Sequence, residues 1–177
     1  MSASSRFEIS VQTHSANFSM YNFHSHSWYE IFYVRTGKCS FFMDDKVYLM
    51  HAGDIAVIPP ETKHKTAYLD ETNARLCIEF TEDYLSPLIA SLGIQTVSSQ
   101  LFTVLHPQLE NAPVLDLLIS NMIAEKQSSD YLSGLFLSAY FQEFILRLMR
   151  THSPSDGQPA ARFNPNNTIQ LAVEYID

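Results

Sequence analysis

Residues 24–34 of the chain read HSHSWYEIFYV, which concentrates polar and aromatic side chains in one short segment. Side chains alternate along a β-strand, so an extended segment would place every second side chain on the same face. The side chains on that face are His24, His26, Trp28, Glu30 and Phe32. Imidazoles and a carboxylate inside an apolar barrel are costly unless they pair or bind an ion. The segment therefore predicts a strand that presents a polar site to a barrel interior.

On either side of this segment the sequence is typical of a small β-domain. Runs rich in β-branched and aromatic residues recur over residues 6–80 at the spacing of a sandwich or barrel. They are RFEISV, WYEIFYV, CSFFM, KVYLM, DIAVI and ARLCIEF. Asp44-Asp45 predicts a hairpin turn, and Gly53 with Pro59-Pro60 bounds the short DIAVI run. We therefore expect residues 1–82 to form one barrel.

Helical periodicity replaces the strand pattern after Phe80. Ser86-Pro87, followed by a stop at Gly93, predicts a short helix. Residues 111–127 and 130–150 predict two longer amphipathic helices, and the second has an apolar surface wider than one face. That surface predicts a homodimer through helix 130–150, because a monomer rarely exposes so large a patch. Burial against the preceding helix is the alternative, and residues 83–152 form this helical segment either way.

The last part of the chain reads as a linker and a helix start. Residues 153–167, SPSDGQPAARFNPNN, have the composition of a linker. Residues 168–177, TIQLAVEYID, carry a capped apolar pattern of helical period. A helix of about ten residues has too few turns to be stable alone. We interpret these residues as the truncated beginning of a second domain.

Composition limits the classes of function. The 177 residues, 46% of them hydrophobic, suffice for a sizeable core. Lys and Arg number 11 against 19 Asp and Glu, and this net charge of −8 excludes phosphate-backbone binding by these residues. The absence of a secretory signal, of a long apolar run and of a CxxC pair predicts a cytoplasmic protein without a membrane partner. No nucleophile elbow or phosphate-binding glycine loop is present.

Two spaced motifs carry a family resemblance. His24-x-His26-x3-Glu30-x6-Gly37, followed by Gly53-x5-Pro59-x4-His64, resembles the consecutive motifs of the cupin superfamily. The resemblance implies a double-stranded β-helix, or jelly-roll, barrel. The family's glycine two positions after the proline is replaced here by Glu61.

The cupin resemblance also implies a set of metal ligands: His24, His26, Glu30 and His64. Three imidazoles and a carboxylate suit a divalent metal such as Zn, Ni, Fe or Mn, and the spacing does not choose among them. The alternative is that the same side chains line a pocket and hydrogen-bond a small ligand without metal. Trp28 and Phe32 are the candidate ligand contacts beside them, and their alternative role is that of plain core aromatics.

The order of the parts closely resembles the amino-terminal half of AraC-family transcriptional regulators. Segments that carry the likeness are 24–45, 48–64, 75–88 and 117–150, and the resemblance extends from about Phe7 to Asp177. It implies a non-enzymatic sensor that binds a small-molecule effector in the barrel and dimerises through helix 130–150. DNA would be contacted only through a missing C-terminal domain with two helix-turn-helix units. The alternative is a metal-dependent cupin enzyme, an oxygenase or isomerase, although no catalytic residue is predicted.

Overall fold

The β-branched and aromatic runs form most of the strands of the computed structural model, which describes residues 6–15, 18–96, 104–105, 107, 112–151 and 161–162. The strands are β1 (Phe7–Ser15), β2 (Tyr29–Thr36), β3 (Lys38–Met43), β4 (Lys46–His51), β5 (Ile55–Ile58), β6 (His64–Tyr68), β7 (Thr72–Phe80), β8 (Val104–Leu105) and β9 (Ala161–Arg162). The helices are α1 (Ser86–Leu92), α2 (Ala112–Gln127) and α3 (Ser133–Thr151), and a 3-10 turn (Glu82–Leu85) precedes α1.

Two antiparallel sheets face each other. The helix-facing sheet has the order β1-β7-β2-β5-β8, and the outer sheet has the order β6-β3-β4-β9. Every strand pair within the described residues is antiparallel. This arrangement, followed by helices, confirms the predicted cupin-type double-stranded β-helix, or jelly-roll.

Strand β2 is buried on both faces. Ile31 and Tyr33 pack with helix residues in one core, whereas Phe32 and Val34 pack in a second core between the sheets. Double burial explains why residues 31–34 form a continuous run of apolar and aromatic side chains rather than alternating. It also places every second residue of β2 in the interior between the sheets.

The polar segment before β2 is less regular than predicted. Strand β2 begins at Tyr29, so the expectation of one continuous strand from His24 is wrong. His24 is held instead by an isolated bridge to His64. The chain bends at Ser27 and Trp28, where Nδ1 of His26 hydrogen-bonds the carbonyl oxygen of Trp28 at 2.8 Å. A side chain that competes for the backbone in this way interrupts a strand.

Three turns of the barrel contain residues with positive φ. Asp44 and Asp45 have φ of 50° and 57°, which confirms the predicted hairpin turn. Gly37 has φ of 81°, and a Cβ there would lie 2.7 Å from the carbonyl oxygen of Thr72, so a larger residue does not fit. Glu61, which replaces the glycine of the cupin pattern, keeps the left-handed conformation at φ of 61°. Its amide donates to the carbonyl oxygen of His26 at 2.7 Å and ties this turn to the site.

The helices cover the helix-facing sheet. Helix α1 ends at Gly93 in the left-handed conformation, as predicted. Helix α3 begins at Ser133, a few residues after the predicted start. One side of α3 packs into the chain's own core through Leu137, Phe141, Phe144, Ile145 and Leu148. The other side remains open, since Leu135 is 69% exposed and Phe136 is 47% exposed.

The predicted linker, apart from Ala161–Arg162, and the predicted helix of residues 168–177 lie outside the described residues. The two linker residues that are described pair with Lys46 and Val47 of β4. Among the described helices, none combines the length and apolar character needed to cross a membrane.

Candidate functional site

A pocket of about 290 Å³ lies between the two sheets. Alternate residues of β1, β2, β6 and β7 line it, together with residues from the segment before β2. The six residues predicted for the site all line this pocket: His24, His26, Trp28, Glu30, Phe32 and His64. The structure therefore brings the predicted metal ligands and the predicted ligand contacts into one cavity.

Three of the predicted metal ligands form a tight group. Nε2 of His26 lies 3.0 Å from Oε2 of Glu30, and Nε2 of His64 lies 3.8 Å from the same oxygen. One ligand atom from each residue lies within 4.8 Å of the others. His24 stands outside this group: it is exposed, and its ring centroid is 4.2 Å from that of His64.

Backbone carbonyls orient both imidazoles of the group. Nδ1 of His26 lies 2.8 Å from the carbonyl oxygen of Trp28, and Nδ1 of His64 lies 2.9 Å from that of Thr62. A carbonyl only accepts, so Nδ1 carries the hydrogen in both rings and Nε2 is directed at Glu30. Metal-binding histidines are commonly oriented by such a bond from the other ring nitrogen.

The protonation states follow from burial and mutual charge. Burial opposes ionisation of Glu30, but hydrogen bonds from His26 and Cys77 and the nearby imidazoles outweigh it and lower the pKa of this carboxyl. Burial also disfavours the charged form of His26, but the bond to Glu30 prevails and raises the pKa of His26. Burial lowers the pKa of His64. The group is therefore a carboxylate, a readily protonated imidazole and a neutral imidazole.

The donor set fits a divalent cation. Nε2 of His64 is buried and has no hydrogen-bond partner among the described residues. A neutral imidazole nitrogen, a second imidazole and an ionised carboxylate converge on one point, which is the chemistry of Zn, Ni, Fe or Mn sites. A ligand hydrogen bond at the same place would satisfy Nε2 of His64 as well.

The two predicted ligand contacts differ in their surroundings. Trp28 is half-buried, and its ring stacks on that of His26 with a centroid distance of 4.9 Å. The guanidinium carbon of Arg6 lies 4.1 Å from the Trp28 ring centroid. Phe32 is only 1% exposed and packs in the core between the sheets. Phe32 therefore forms the pocket floor and is at the same time a core residue.

Comparison with known protein families identifies the family of the chain. Residues 8–145 match the family AraC-like ligand binding domain. The chain belongs to this family. No curated protein sequence matches the chain significantly.

Two solved structures of ToxT share the fold of this chain. Apo ToxT K231A from Vibrio cholerae strain SCE256 has a TM-score of 0.60 with 15% sequence identity, over 96% of this chain and 65% of that chain. ToxT from Vibrio cholerae O395 bound to (E)-4-(8-methylnaphthalen-1-yl)but-3-enoic acid has a TM-score of 0.55 with 13% identity, over 96% of this chain and 66% of that chain. A cupin protein from Bacteroides fragilis has a TM-score of 0.40 with 26% identity, over 42% of this chain and 65% of that chain. The chain thus spans about two thirds of the length of the ToxT chains.

Sequence reasoning missed several residues that line the pocket of the AraC-like domain. They come from β1 and β7: Ser10, Gln12, Arg75, Cys77 and Glu79. A signal was present, because polar residues occupy alternate positions in both strands. The pairing of both strands in one sheet, which places these positions next to β2, was not readable from the sequence.

Proposed function

We propose that this domain binds a small effector in the pocket between the sheets and regulates transcription through a C-terminal DNA-binding domain. The observation that carries the proposal is the polar lining of the pocket, where Gln12 and Arg75 accompany the His26, Glu30 and His64 group. A concave pocket in which polar side chains converge beside aromatic ones is typical of a small-molecule site. The family supports a sensor rather than an enzyme, and we assign no catalytic residue. Such a regulator acts in the cytoplasm.

Strands β1 and β2 provide a physical route from the pocket to the helices. On its pocket face β2 carries Glu30, and on its other face Tyr33 and Arg35 donate to Oδ1 of Asp116 in α2 at 3.3 and 2.6 Å. Lys126 of α2 donates to the carbonyl oxygen of Phe7 in β1 at 2.6 Å. An effector that binds one arrangement of these strands better than another shifts the population of helix positions.

The open side of α3 supports the proposed homodimer through helix 130–150. Leu135 and Phe136 are exposed there, whereas the opposite side of the helix is buried in the chain's own core. Large apolar side chains in one exposed patch are typical of an interaction surface. The corresponding division of the chain is a barrel at 1–82, with β8 and β9 added at its sheet edges, a dimerisation segment at 83–152, a linker at 153–167 and the start of a DNA-binding domain at 168–177.

A divalent metal in the pocket is part of the proposal. His26, Glu30 and His64 would hold it, and His24 is the fourth candidate ligand, as the cupin resemblance implies. A bound ion supplies a Lewis-acidic position for an oxygen atom of the effector. The residues of the chain orient the imidazoles through Trp28 and Thr62 and keep Glu30 ionised.

Effector binding is the experiment that tests the proposal. The chain has one tryptophan, Trp28, and it lines the pocket, so its fluorescence reports occupancy directly. A panel of small acids, amides and sugars is titrated against the protein, and calorimetry gives an independent binding constant. We expect at least one solute to bind with both signals. In the full-length regulator the same solute should change the affinity for operator DNA, and binding that never affects DNA affinity would contradict the regulatory role.

A further inference from the structure

The pocket contains one cation that no carboxylate balances. Of the charged groups that line it, Glu79 forms an ion pair with Arg6, and Glu30 pairs with His26. Arg75 has no carboxylate within ion-pair distance among the described residues, although it lines the same cavity. An unpaired charge in a pocket that excludes part of the solvent is unfavourable until a counter-charge arrives.

The neighbours of Arg75 do not supply that counter-charge. Burial lowers the pKa of His14, and the guanidinium of Arg75 lowers it further. Burial raises the pKa values of Cys39, Tyr68 and Cys77, and the guanidinium partly opposes this rise. The Cys39 thiol nevertheless has its pKa raised to about 12, and the pKa values of Tyr68 and Cys77 are also raised. All of these groups are neutral at pH 7, so none of them supplies a negative charge to Arg75.

Arg75 is oriented for a ligand. Its Nε and Nη2 donate to Oε1 of Gln12 at 3.2 and 2.6 Å, which holds the guanidinium in place. Its Cζ lies 5.5 Å from the ring centroid of Phe32, the pocket floor. A guanidinium has five N–H donors, so the bonds to one amide oxygen leave donors for a second acceptor. The planar fork of arginine matches the two oxygens of a carboxylate.

Arg75 lines the same pocket as the metal-ligand group of His26, Glu30 and His64. Arg75 and Cys77 are alternate residues of β7 and both line the pocket, and Cys77 hydrogen-bonds Glu30. Two residues of a strand span about 7 Å. A ligand small enough for a pocket of about 290 Å³ can therefore reach both ends.

Resting on the proposed effector function, we infer that the effector is a small carboxylate whose carboxyl group binds Arg75, with Phe32 and Trp28 as the apolar wall. A neutral polyhydroxy compound also suits a polar pocket, but it would leave the charge of Arg75 unbalanced.

The test compares acids with their neutral amides. Phenylacetate and butyrate are titrated against phenylacetamide and butyramide, with D-glucose as a neutral polyhydroxy probe, and Trp28 fluorescence and calorimetry are the readouts. We expect an acid to bind at least about tenfold more tightly than its amide, since bonds to a charged group are the stronger ones. The variant Arg75→Gln should reduce this preference to nearly onefold, and Arg75→Lys should retain part of it. The matched control is Arg147→Gln, because Arg147 pairs with Glu143 on α3, away from the pocket.

The possible outcomes distinguish the carboxylate inference from the proposed sensor function. Equal binding of acid and amide, or undiminished acid binding by a folded Arg75→Gln variant, overturns the carboxylate inference. Binding of D-glucose or of an amide alone overturns it as well but leaves the sensor function standing. If no solute of the panel binds at millimolar concentration, both proposals lose their support. The acid-to-amide ratio of the parent protein decides the matter even if Arg75→Gln does not fold.

Discussion

Nε2 of His26 lies 3.0 Å from Oε2 of Glu30, although the two residues do not belong to one strand. Glu30 is fixed on β2 with 6% exposure, whereas His26 lies in the bent segment before it. The bend at Ser27 and Trp28 brings the two side chains together, and stacking on Trp28 holds the imidazole in plane. The pair therefore depends on a local interruption of the strand rather than on strand periodicity.

Metal content is the first quantity that this geometry predicts. Protein purified without chelator or nickel resin should contain about one divalent ion per chain, and the double variant His26→Ala, His64→Ala should contain nearly none. Elemental analysis measures both. His24→Ala should keep the ion with lower affinity, because the three closely grouped ligand atoms come from other residues.

A matched control for metal content is His51→Ala, since the His51 side chain is 62% exposed and does not line the pocket. Its metal content should equal that of the parent. A parent that holds no stoichiometric ion, even after incubation with Zn²⁺, would show that the imidazoles serve only as hydrogen-bonding groups.

Stability measurements separate the two aromatic pocket residues. Phe32→Ala should lower the free energy of unfolding by about 3–5 kcal/mol, because it leaves a cavity in a fully buried core. Trp28→Ala should cost less, because Trp28 is only half-buried, but it should weaken effector binding. Denaturation followed by circular dichroism gives both values without relying on tryptophan fluorescence. A small loss of stability for Phe32→Ala would mean that this residue is a ligand contact without a core role.

The exposed side of α3 predicts a dimer that single charges disrupt. Leu135→Asp or Phe136→Asp should yield a monomer in sedimentation with little loss of stability, because both side chains are exposed within the chain. Leu117→Asp, at a residue that is 60% exposed on α2, is the control that should leave the dimer intact. If the parent sediments as a monomer at high concentration, the exposed side of α3 is not a dimer interface.

The sequence predicted the site better than it predicted the local structure around it. Alternation along 24–34 placed its polar and aromatic side chains in the pocket but did not predict Ser25, which also lines it, and the cupin resemblance added His64. Arg75 and Gln12 were missed because their importance depends on pairing between distant strands. The register that sets Gln12 opposite Arg75 and Glu30 opposite Glu79 arises from long-range contacts that no local pattern records.

Strand β6 illustrates a second limit. Its sequence, HKTAY, lacks the apolar alternation of a typical strand, because the residues that face the interior are His64, Thr66 and Tyr68. Because polar site residues occupy its interior positions, the sequence pattern does not predict this strand. For α3 the breadth of the apolar surface was readable, but only the packed structure separates Phe141, which is buried, from Phe136, which is exposed.

His14 of β1 predicts a dependence of stability on pH. The His14 ring stacks on Phe18 and Tyr68 with centroid distances of 4.4 and 4.8 Å. Burial and then the charge of Arg75 lower its pKa from the ordinary value of 6.5. The unfolded chain therefore takes up a proton at His14 more readily than the folded chain does. The contribution of neutral His14 to the free energy of unfolding is fully present above pH 6.5 and is lost as the pH falls through the lowered pKa.

His14→Gln should make the free energy of unfolding less dependent on pH between about pH 7 and pH 5, because it removes the group that is protonated on unfolding. Nuclear magnetic resonance of the His14 ring should give a pKa below 6.5 in the parent and a higher one in Arg75→Gln, where the repelling charge is gone. Arg147→Gln, remote from the pocket, should leave the His14 pKa as it is in the parent. A His14 ring that titrates at or above 6.5 in the parent would show that neither the aromatic stack nor Arg75 acts on it as the geometry indicates.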